Sequence, residues 1–589
     1  MQKKMLAAWF VLAFSLTLTA HAAADDYAQT YLDRGIFFVN NKDYGTAIAE
    51  FNDVIKIDPN FTAAYLWRGY AFSKLDDIDS AIADYTQAIR LDPFYTDVYI
   101  NRGSAYYLKG DMDHTIADYT EAIRLDPLYT DVYINRGAAY YLKGDYDRAI
   151  TDYTQVLKLK PGYIYAYNNR GAAYYSKGDI DRAAVDYTQA LRLDPNYIDA
   201  YGNRGLVYVW KGDNDGAIAD FSQVIRLNPN DAWAFDNRGI AYRNKGNYDK
   251  AIADFSQVIR IEPKDARAYY NRGNAYSSSG DDKRAIADYT AAIRLDPNHA
   301  ETYYNRGNLY SIAGDTDKAI ADYTQVLRIN PNDARAYYNR GNAYDSSGDI
   351  DKAIADYTQA VRINPNYTYA YNNRGNAFDR KGDIEGAVAD YTQAIRLDPN
   401  HAGTYYNRGV AYKNSGDYDR AITDFTQALR INPNYVDAYN NRGNAYYYKA
   451  DIDRAIADFA QALRIDPGYI YAYNNRGAAY YVKGDIVKAL ADYTQAIRVD
   501  PTHADAYNNR GVVFKNTGDY DRAIADFSQA LRINPNYADA YNNRGNAYYY
   551  KDDLARALAD YSQALRIDPY HTLAKQNFET AEKARGRGY

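Results

Sequence analysis

Histidine, serine, threonine and acidic residues are the side chains that could carry catalysis here, because the sequence contains no cysteine. Four of the six histidines fall at one place in a repeating pattern: His299, His401, His503 and His571. The first three lie 102 residues apart, which indicates duplication of long blocks rather than the short spacing of metal ligands. No histidine is placed to activate the recurring serines and threonines, and no glycine-rich phosphate loop is present. We therefore predict no enzyme, no metal site and no cofactor.

Arginine and a carboxylate form the most regular pair of charges. An arginine recurs every 34 residues in sixteen copies, and an acid follows it by 16 positions, Glu50 in the first copy and Asp in the others. A buried arginine needs a partner, because an unpaired buried charge costs several kcal/mol. The guanidinium fork can hold a carboxylate with two hydrogen bonds. We predict sixteen structural ion pairs, among them Arg68–Asp84 and Arg510–Asp526. Separately solvated charges, or pairing with an acid of the adjacent repeat, are the alternatives.

The prolines reveal the repeat that positions these charges. All 16 prolines lie 34 residues apart, from Pro59 to Pro569. Glycine stands 24 residues before each of them, and alanine stands 12 residues before each except at Thr115. We number the repeat positions so that proline is 32, which places the arginine at 7, the glycine at 8 and the acid at 23. The repeat spans residues 28–571.

Two helices are predicted in each repeat. Aromatic, apolar or small residues at positions 4, 8 and 11, and again at 20, 24 and 27, have the three-and-four spacing of a helical stripe. Position 15 is glycine in twelve copies and position 16 is aspartate in fifteen. Glycine ends a helix in the left-handed conformation, and aspartate caps the next one. The acids Asp519 and Asp521 in GDYD are thus predicted to serve the helix start, since EF-hand spacing is absent.

The pattern of one late copy shows a family likeness: Tyr507, Arg510, Gly511, Phe514, Ala523, Phe527, Ala530 and Pro535. It resembles the tetratricopeptide repeat family over residues 28–571, except that the family usually has leucine at position 7. The resemblance implies an all-α fold, a right-handed superhelical α-solenoid of sixteen 34-residue helix-turn-helix repeats whose first helices line a concave groove. Where the repeat decays, residues 572–585 predict a C-terminal capping helix and residues 586–589 a tail.

That resemblance places repeat positions 2, 5, 9, 12 and 13 on the groove. In the first four repeats these positions are largely apolar: Leu32, Ile36, Leu66, Tyr70, Ile100, Leu108, Ile134 and Leu142. An exposed apolar strip is typical of an interaction site. The alternative is that these side chains pack against neighbouring first helices.

From the eighth repeat onward the same positions become polar and aromatic. The candidate partner-binding residues there are Arg267, Tyr270, Asn274, Tyr304, Asn308, Arg335, Tyr338, Asn342 and Asn376. Tyrosine offers flat contact area, and asparagine can bond an extended backbone. The alternative is an ordinary solvated helix face. Family members that grip acidic chaperone termini use lysine at position 5, which never occurs here.

The leading segment predicts export. Lys3 and Lys4 precede an apolar run from Met5 to Thr19 and the small-x-small sequence Ala20-His21-Ala22. This pattern predicts a signal peptide over residues 1–22, followed by a short segment at 23–27. An uncleaved anchor is the alternative, although the run is short for a membrane span. We expect a periplasmic or secreted protein of a Gram-negative bacterium, with no stable membrane span after cleavage.

The net charge argues against two classes of partner. The formal charge of −7 becomes −9 without Lys3 and Lys4, and the isoelectric point is about 5.5. Such a balance argues against nucleic acid and against an anionic membrane surface. Two functions remain: a non-catalytic scaffold that binds an extended peptide or assembles protein partners in the groove, and a polysaccharide-binding or exopolysaccharide-export accessory protein.

Overall fold

The computed structural model describes residues 26–586, and these residues fold into α-helices joined by short turns. The chain divides into a first unit, Met1–Pro297, and a second unit, Asn298–Tyr589. The predicted signal peptide at 1–22, residues 23–25 of the short segment and residues 587–589 of the tail lie outside the described residues.

The first unit contains eight helix pairs within its described residues. Its helices are α1 (26–40), α2 (Tyr44–Ile57), α3 (Thr62–Lys74), α4 (Ile78–Leu91), α5 (Thr96–Lys109), α6 (Met112–Leu125), α7 (Thr130–Leu142), α8 (Tyr146–Leu159), α9 (Ile164–Lys177), α10 (Ile180–Leu193), α11 (Ile198–Trp210), α12 (Asn214–Leu227), α13 (Ala232–Asn244), α14 (Tyr248–Ile261), α15 (Ala266–Ser278) and α16 (Asp282–Leu295).

The second unit contains eight further pairs and a final helix within its described residues. Its helices are α17 (Ala300–Ile312), α18 (Thr316–Ile329), α19 (Ala334–Ser346), α20 (Ile350–Ile363), α21 (Thr368–Arg380), α22 (Ile384–Leu397), α23 (Ala402–Asn414), α24 (Tyr418–Ile431), α25 (Val436–Tyr448), α26 (Ile452–Ile465), α27 (Ile470–Lys483), α28 (Ile486–Val499), α29 (Ala504–Asn516), α30 (Tyr520–Ile533), α31 (Ala538–Tyr550), α32 (Leu554–Ile567) and α33 (Thr572–Gly586).

The break within each pair follows from positions 15 and 16. All twelve glycines at position 15 have a positive φ, 81° at Gly110 for example, and the other four copies adopt it without glycine, at Lys42, Asp76, Ala450 and Asp552. The residue at position 16 then caps the second helix, as where the Asp77 carboxylate accepts a hydrogen bond from the Ser80 amide. The left-handed turn is therefore a property of the repeat, and glycine lowers the conformational strain of adopting it.

The glycine at position 8 is required by close packing within each pair. A Cβ built on Gly69 would lie 2.8 Å from the Tyr85 Cε1 atom, and one on Gly511 would lie 2.8 Å from Phe527 Cε1. The aromatic ring at position 24 therefore occupies the space that a side chain at position 8 would need. This contact holds the two helices of a repeat at short distance.

Successive pairs stack in order within each unit. Each second helix packs against the first helix of its own repeat and against the first helix of the next, as α4 does with α3 and α5. Neighbouring first helices also contact one another directly, as α9 and α11 do in the first unit and α27 and α29 in the second. Among the described residues no pair of neighbouring second helices makes a comparable contact. The first helices thus form one continuous surface in each unit.

Helix α33 covers the end of the last repeat. Its buried Ala574 and Ala581 face α31 and α32, and Phe578 packs against the cluster that contains Leu558 and Tyr561. Apart from Leu573, most exposed residues of α33 are polar. A polar outer face on the terminal element is what a solenoid end needs in water.

Candidate binding face on the first helices

The structure places all sixteen position-7 arginines against the acid at position 23 of their own repeat. In the pair Arg510–Asp526, Nε donates to Oδ2 and Nη2 donates to Oδ1, both over 2.8 Å. The pair Arg68–Asp84 has the same two-bond geometry at 2.8 and 2.7 Å. The carboxylates are buried, and the arginine side chains, apart from that of the first repeat, are only 15–21% exposed. These groups hold the repeat together and, outside the first repeat, present little charge to a ligand.

The arginine also ties its repeat to the preceding one, which the sequence analysis did not foresee. Its Nη1 donates to the residue at position 25 of the previous repeat, as Arg102 does to Thr86 over 3.1 Å and Arg442 does to Thr426 over 3.0 Å. In one copy position 25 is Ala460, and Arg476 makes only its two bonds to Asp492 among those described. The recurring serines and threonines are therefore acceptors for this arginine.

Arg34 shows what the preceding repeat contributes. It belongs to the first of the sixteen repeats, and its side chain is 55% exposed with one hydrogen bond among the described residues, from Nη2 to Glu50 Oε1. The other carboxylate oxygen, Glu50 Oε2, is buried without a partner among the described residues. Stacking against a previous repeat thus removes the arginine from water and completes its hydrogen bonds.

The apolar strip predicted in the first four repeats is mostly packed. Leu32 and Leu66 are buried in the core clusters, so the prediction of an exposed strip is wrong for them. Ile36, Tyr70, Ile100 and Ile134 are half-buried and pack against the same series of clusters. The reason is that neighbouring first helices touch directly, so position 5 fills the seam between them. Leu108 and Leu142, at position 13, do remain exposed.

In later repeats the same seam is closed by hydrogen bonds between side chains. The asparagine at position 6 donates to position 5 of the preceding repeat, as Asn373 does to the Tyr338 hydroxyl over 3.2 Å and Asn475 does to Asn440 over 2.9 Å. Asn373 also donates to Asn342 Oδ1 over 2.9 Å. We call this series the asparagine ladder. It reaches back into the first unit, where Asn203 donates to Asn168 over 3.0 Å.

Most predicted polar binding residues are engaged in this ladder or in hydrogen bonds and ring contacts within their own repeat. The Tyr304 hydroxyl accepts from Asn339, and Asn308, Asn342 and Asn376 each accept from the buried position-24 tyrosine of their own repeat over 2.7–2.8 Å. Asn274 accepts from Tyr289 in the same way over 2.8 Å, and Tyr270 packs its ring against that tyrosine. These groups hold neighbouring helices together, and the sequence analysis mistook them for groups presented to a ligand.

The two predicted arginines at position 2 are also paired. Arg267 lies 3.2 Å from the buried carboxylate of Asp236, whose pKa is raised by burial and lowered in part by Arg267 and Asn271. Arg335 binds Asp333 and Glu301, and its guanidinium lies 4.6 Å from the centre of the Tyr304 ring. The hydrogen bond to Asp333, followed by that to Glu301, raises the pKa of Arg335. Both arginines are exposed, yet neither is without a counter-charge.

Repeat position 13 retains exposed apolar side chains in both units. This position lies at the end of the first helix, beside the turn. We call the following residues the position-13 row: Leu108, Leu142 and Trp210 in the first unit, and Ile312, Tyr448, Val482 and Tyr550 in the second, each between 57% and 77% exposed. Trp210 also lines an open cleft with Lys177, Asp181 and Lys211. The row is the largest set of apolar groups that the first helices leave in water.

Two lysines at position 12 were missed by the sequence analysis. Lys413 and Lys515 are half-buried on the second unit's first helices, and burial lowers the pKa of both. Position 12 was placed on the groove, and lysine occurs there in these two copies alone. That rarity was the available signal.

Comparison with known families decides the class. A family model described as "TPR repeat" matches residues 74–110, 103–144, 139–178, 171–210, 207–246, 239–280, 273–312, 307–348 and 375–416. A second, "Tetratricopeptide repeat", matches 334–367, 402–435, 436–469, 470–503, 504–537 and 538–571, and a third of the same description matches 28–61. The chain is a tetratricopeptide repeat protein. None of the curated proteins matches its sequence.

Several solved structures are similar. YrrB, described as a TPR protein with an unusual peptide-binding site, is 26% identical over 32% of this chain and 96% of its own, with a TM-score of 0.27. A tetratricopeptide repeat protein from Parabacteroides merdae is 24% identical over 42% of this chain and 98% of its own, with a TM-score of 0.33. Yeast Tom70 is 19% identical over 78% and 96%, with a TM-score of 0.35.

Tetratricopeptide solenoids generally serve as scaffolds for protein–protein interaction, and the family typically carries no catalytic centre. Within residues 26–586 no group of three or more histidine or acidic side chains is arranged to hold a metal ion. No helix in that same range is long and apolar enough to cross a membrane.

Proposed function

We propose that the chain is a non-catalytic scaffold that binds an extended peptide, or assembles protein partners, along its first helices. The observation that carries the proposal is the position-13 row, in which the first helices of the first unit leave three large apolar side chains more than half exposed and those of the second unit leave four. Soluble proteins seldom leave such a series in water unless a partner covers it. The charged and amide groups of the same helices are largely used by the fold, so the apolar row supplies the contact energy.

Variants of the row test the proposal. Asparagine is the chain's own alternative at position 13, at Asn40, Asn244, Asn414 and Asn516, so the triple change Leu108→Asn, Leu142→Asn, Trp210→Asn should leave the fold intact. The mature chain would be used to capture partners from a periplasmic extract. We expect the variant to lose partners that the unaltered chain retains.

The matched control removes an exposed apolar group from a second helix. Val185 is 67% exposed at position 22 of its repeat, where most other copies have alanine. Val185→Ala should retain the same partners as the unaltered chain. Equal capture by all three proteins would show that the first helices do not carry the binding.

A polysaccharide is the second candidate ligand. Three tyrosines at position 2, Tyr165, Tyr369 and Tyr471, are 57–62% exposed. Each makes an edge-to-face contact with the aromatic ring at position 34, in the turn that leads to the next repeat. Exposed aromatic faces suit sugar rings as well as peptides. Affinity electrophoresis in gels with and without exopolysaccharide separates the two. Retardation that is lost in Tyr369→Ala together with Tyr471→Ala would favour the sugar.

An exported location is part of the proposal. It is supported by the charged, apolar and small-residue segments of residues 1–22 and by the lack of cysteine. Amino-terminal sequencing of the protein from a periplasmic fraction should begin after Ala22 or Ala24. A chain that keeps Met1 in the cytosol would contradict it.

A further inference from the structure

The second unit carries a row of side chains at repeat position 12 that the fold leaves partly unsatisfied. We call the following residues the position-12 row: Asp345, Asp379, Lys413, Tyr447, Tyr481, Lys515 and Tyr549. Neighbouring first helices contact each other directly here, so the row runs from one helix to the next. Side-chain hydrogen bonds join position 13 of one repeat to position 12 of the preceding one, as Arg380 does with Asp345 and Asn516 with the Tyr481 hydroxyl. Side chains of neighbouring repeats therefore lie side by side along the row.

Lys413 and Lys515 have no counter-charge among the residues that the structure describes, since no carboxylate of those residues lies within 4 Å of either ammonium group. Lys413 Nζ donates to the neutral amide oxygen of Asn441 over 2.8 Å. Burial lowers the pKa of both lysines, which means that the surroundings disfavour the charged form. By contrast, Lys449 and Lys483, at position 14 of the two repeats that lie between those of Lys413 and Lys515, are paired with Asp419 and Asp453.

Asp379 is a half-buried residue of the opposite charge that also has no paired counter-charge among the described residues. It occupies position 12 of the repeat before Lys413 and is half-buried. Burial raises the pKa of its carboxyl, and no cation is paired with it among the described residues. Its neighbour Asp345 differs, because Arg380 holds that carboxylate. The row therefore contains one unpaired acid followed by two unpaired bases.

Half-buried charges without partners are unfavourable for the isolated fold, and most other copies avoid them with serine, tyrosine or valine at position 12. We propose that the position-12 row binds an extended peptide that places a basic side chain on Asp379 and acidic side chains on Lys413 and Lys515. This inference rests on the proposed function and adds the chemistry of the partner. The alternation of sign favours a polypeptide over a uniformly anionic polysaccharide, which Asp379 would repel.

The repeat spacing sets the spacing of the charges in the peptide. Packed helices lie about 10 Å apart, so the one-repeat step from Asp379 to Lys413 is about 10 Å and the three-repeat step from Lys413 to Lys515 about 30 Å. An extended peptide advances about 3.3 Å per residue. The base and the first acid of the ligand should thus be about three residues apart, and the two acids about nine.

The test uses the full mature chain and a fluorescent synthetic peptide with one lysine and two glutamates at that spacing. Fluorescence anisotropy measures its affinity. We expect Lys515→Met and Lys413→Met each to weaken binding about tenfold, and Asp379→Asn to weaken it by a smaller factor. Lys515→Glu should bind a peptide with lysine in place of the second glutamate better than it binds the original. Lys449→Met is the matched control and should leave the affinity unchanged.

One further peptide tests the spacing of the charges. A peptide of the same composition with the glutamates four residues apart should bind the unaltered chain as weakly as the original peptide binds Lys413→Met or Lys515→Met. Equal affinity for both spacings, or unchanged affinity in Lys515→Met, would overturn the inference. So would a uronic-acid polysaccharide whose binding is lost in the lysine variants and strengthened in Asp379→Asn.

The proposed function has a separate readout. If extract partners are lost with the position-13 variants but retained by Lys515→Met, this inference fails and the scaffold function stands. If capture depends on neither row, both fail. Circular dichroism of Lys515→Met should match that of the unaltered chain, since methionine removes an uncompensated charge and keeps the apolar stem.

Discussion

The early repeats of the first unit and the middle repeats of the second hold their helices with the same charged pairs but close the seam between first helices differently. In the first unit Leu66 and Ile100 fill the seam with apolar contacts. In the second unit Asn373 fills it with hydrogen bonds to Tyr338 and Asn342. The arginine, its acid and the small residue at position 8 do not change between them. The arginine–acid pair and the position-8 glycine, which form the framework of the repeat, are therefore independent of the contact between neighbouring first helices. The residue at position 5 determines whether that contact is apolar or hydrogen-bonded.

The largest expected effect tests whether the framework is the same in both units. Arg102→Leu in the first unit and Arg510→Leu in the second should each lower the opening free energy of their repeat by about 3–5 kcal/mol, because each leaves a buried carboxylate unpaired. Hydrogen exchange of the helices in each repeat measures this. Arg34→Leu should cost clearly less, since Arg34 is half exposed and makes one hydrogen bond.

The same variants allow a test of pairing. Arg510→Leu combined with Asp526→Tyr should recover much of the loss, because the buried charge is then gone from both sides. Strictly additive costs for the two changes would show that the residues do not act as a pair.

The next effect concerns the close contact at position 8. Gly103→Ala and Gly511→Ala should each destabilise their repeat by about 1–3 kcal/mol, because the new Cβ would meet Tyr119 at 2.9 Å and Phe527 at 2.8 Å. Gly45→Ala is the control, since nothing lies within 4 Å of its Cβ position, and it should be neutral or slightly stabilising. Thermal unfolding midpoints of the three variants provide the comparison.

A smaller effect separates the two kinds of seam. Asn373→Ala should cost about 1–2 kcal/mol in local opening free energy, because Tyr338 and Asn342 each lose the hydrogen bond that Asn373 donates. Asn135, at the same repeat position in the first unit, is exposed and makes no hydrogen bond among the described residues, so Asn135→Ala should cost almost nothing. Equal losses in hydrogen-exchange protection would contradict the difference between the seams.

The smallest effect concerns the bond from each arginine to the preceding repeat. Thr86→Ala should cost about 0.5–1 kcal/mol by removing the acceptor for Arg102. The reverse change, Ala460→Thr, should stabilise its interface by a similar amount, because Arg476 gains the acceptor that most other repeats have. Urea unfolding of each variant beside the unaltered chain shows whether the free energy of unfolding falls in Thr86→Ala and rises in Ala460→Thr. A loss at both sites would argue against the hydroxyl as acceptor.

The framework could be predicted from the sequence because every part of it recurs in register. Sixteen prolines fix the period, and the arginine and the acid recur at a constant separation, so antiparallel packing within the repeat places Arg510 near Asp526. The third bond, from Arg442 to Thr426, was not predicted, although threonine or serine recurs at position 25. It crosses between repeats, and the packing of one repeat on the next is not visible in the pattern of a single repeat.

The binding face was predicted less well for a related reason. Asn308 and Asn342 were assigned to a ligand because polar residues at those positions look solvated in sequence. Their amide oxygens accept hydrogen bonds from the hydroxyls of Tyr323 and Tyr357, which lie on the second helix of the same repeat. Leu66 was assigned to an exposed strip, but direct contact between first helices buries it. Whether a side chain lies in the seam or beside it depends on how closely neighbouring first helices pack.

Site-specific photo-crosslinking of the full chain tests most directly whether the first helices carry the binding. A photoreactive phenylalanine analogue would replace Trp210 and Tyr448 on first helices and, as controls, Val185 and Val487, which are at least as exposed on second helices. We expect discrete crosslinked partners from residues 210 and 448 and none from 185 and 487. Equal crosslinking from all four sites, or crosslinking from the second helices alone, would contradict the assignment of the binding face to the first helices.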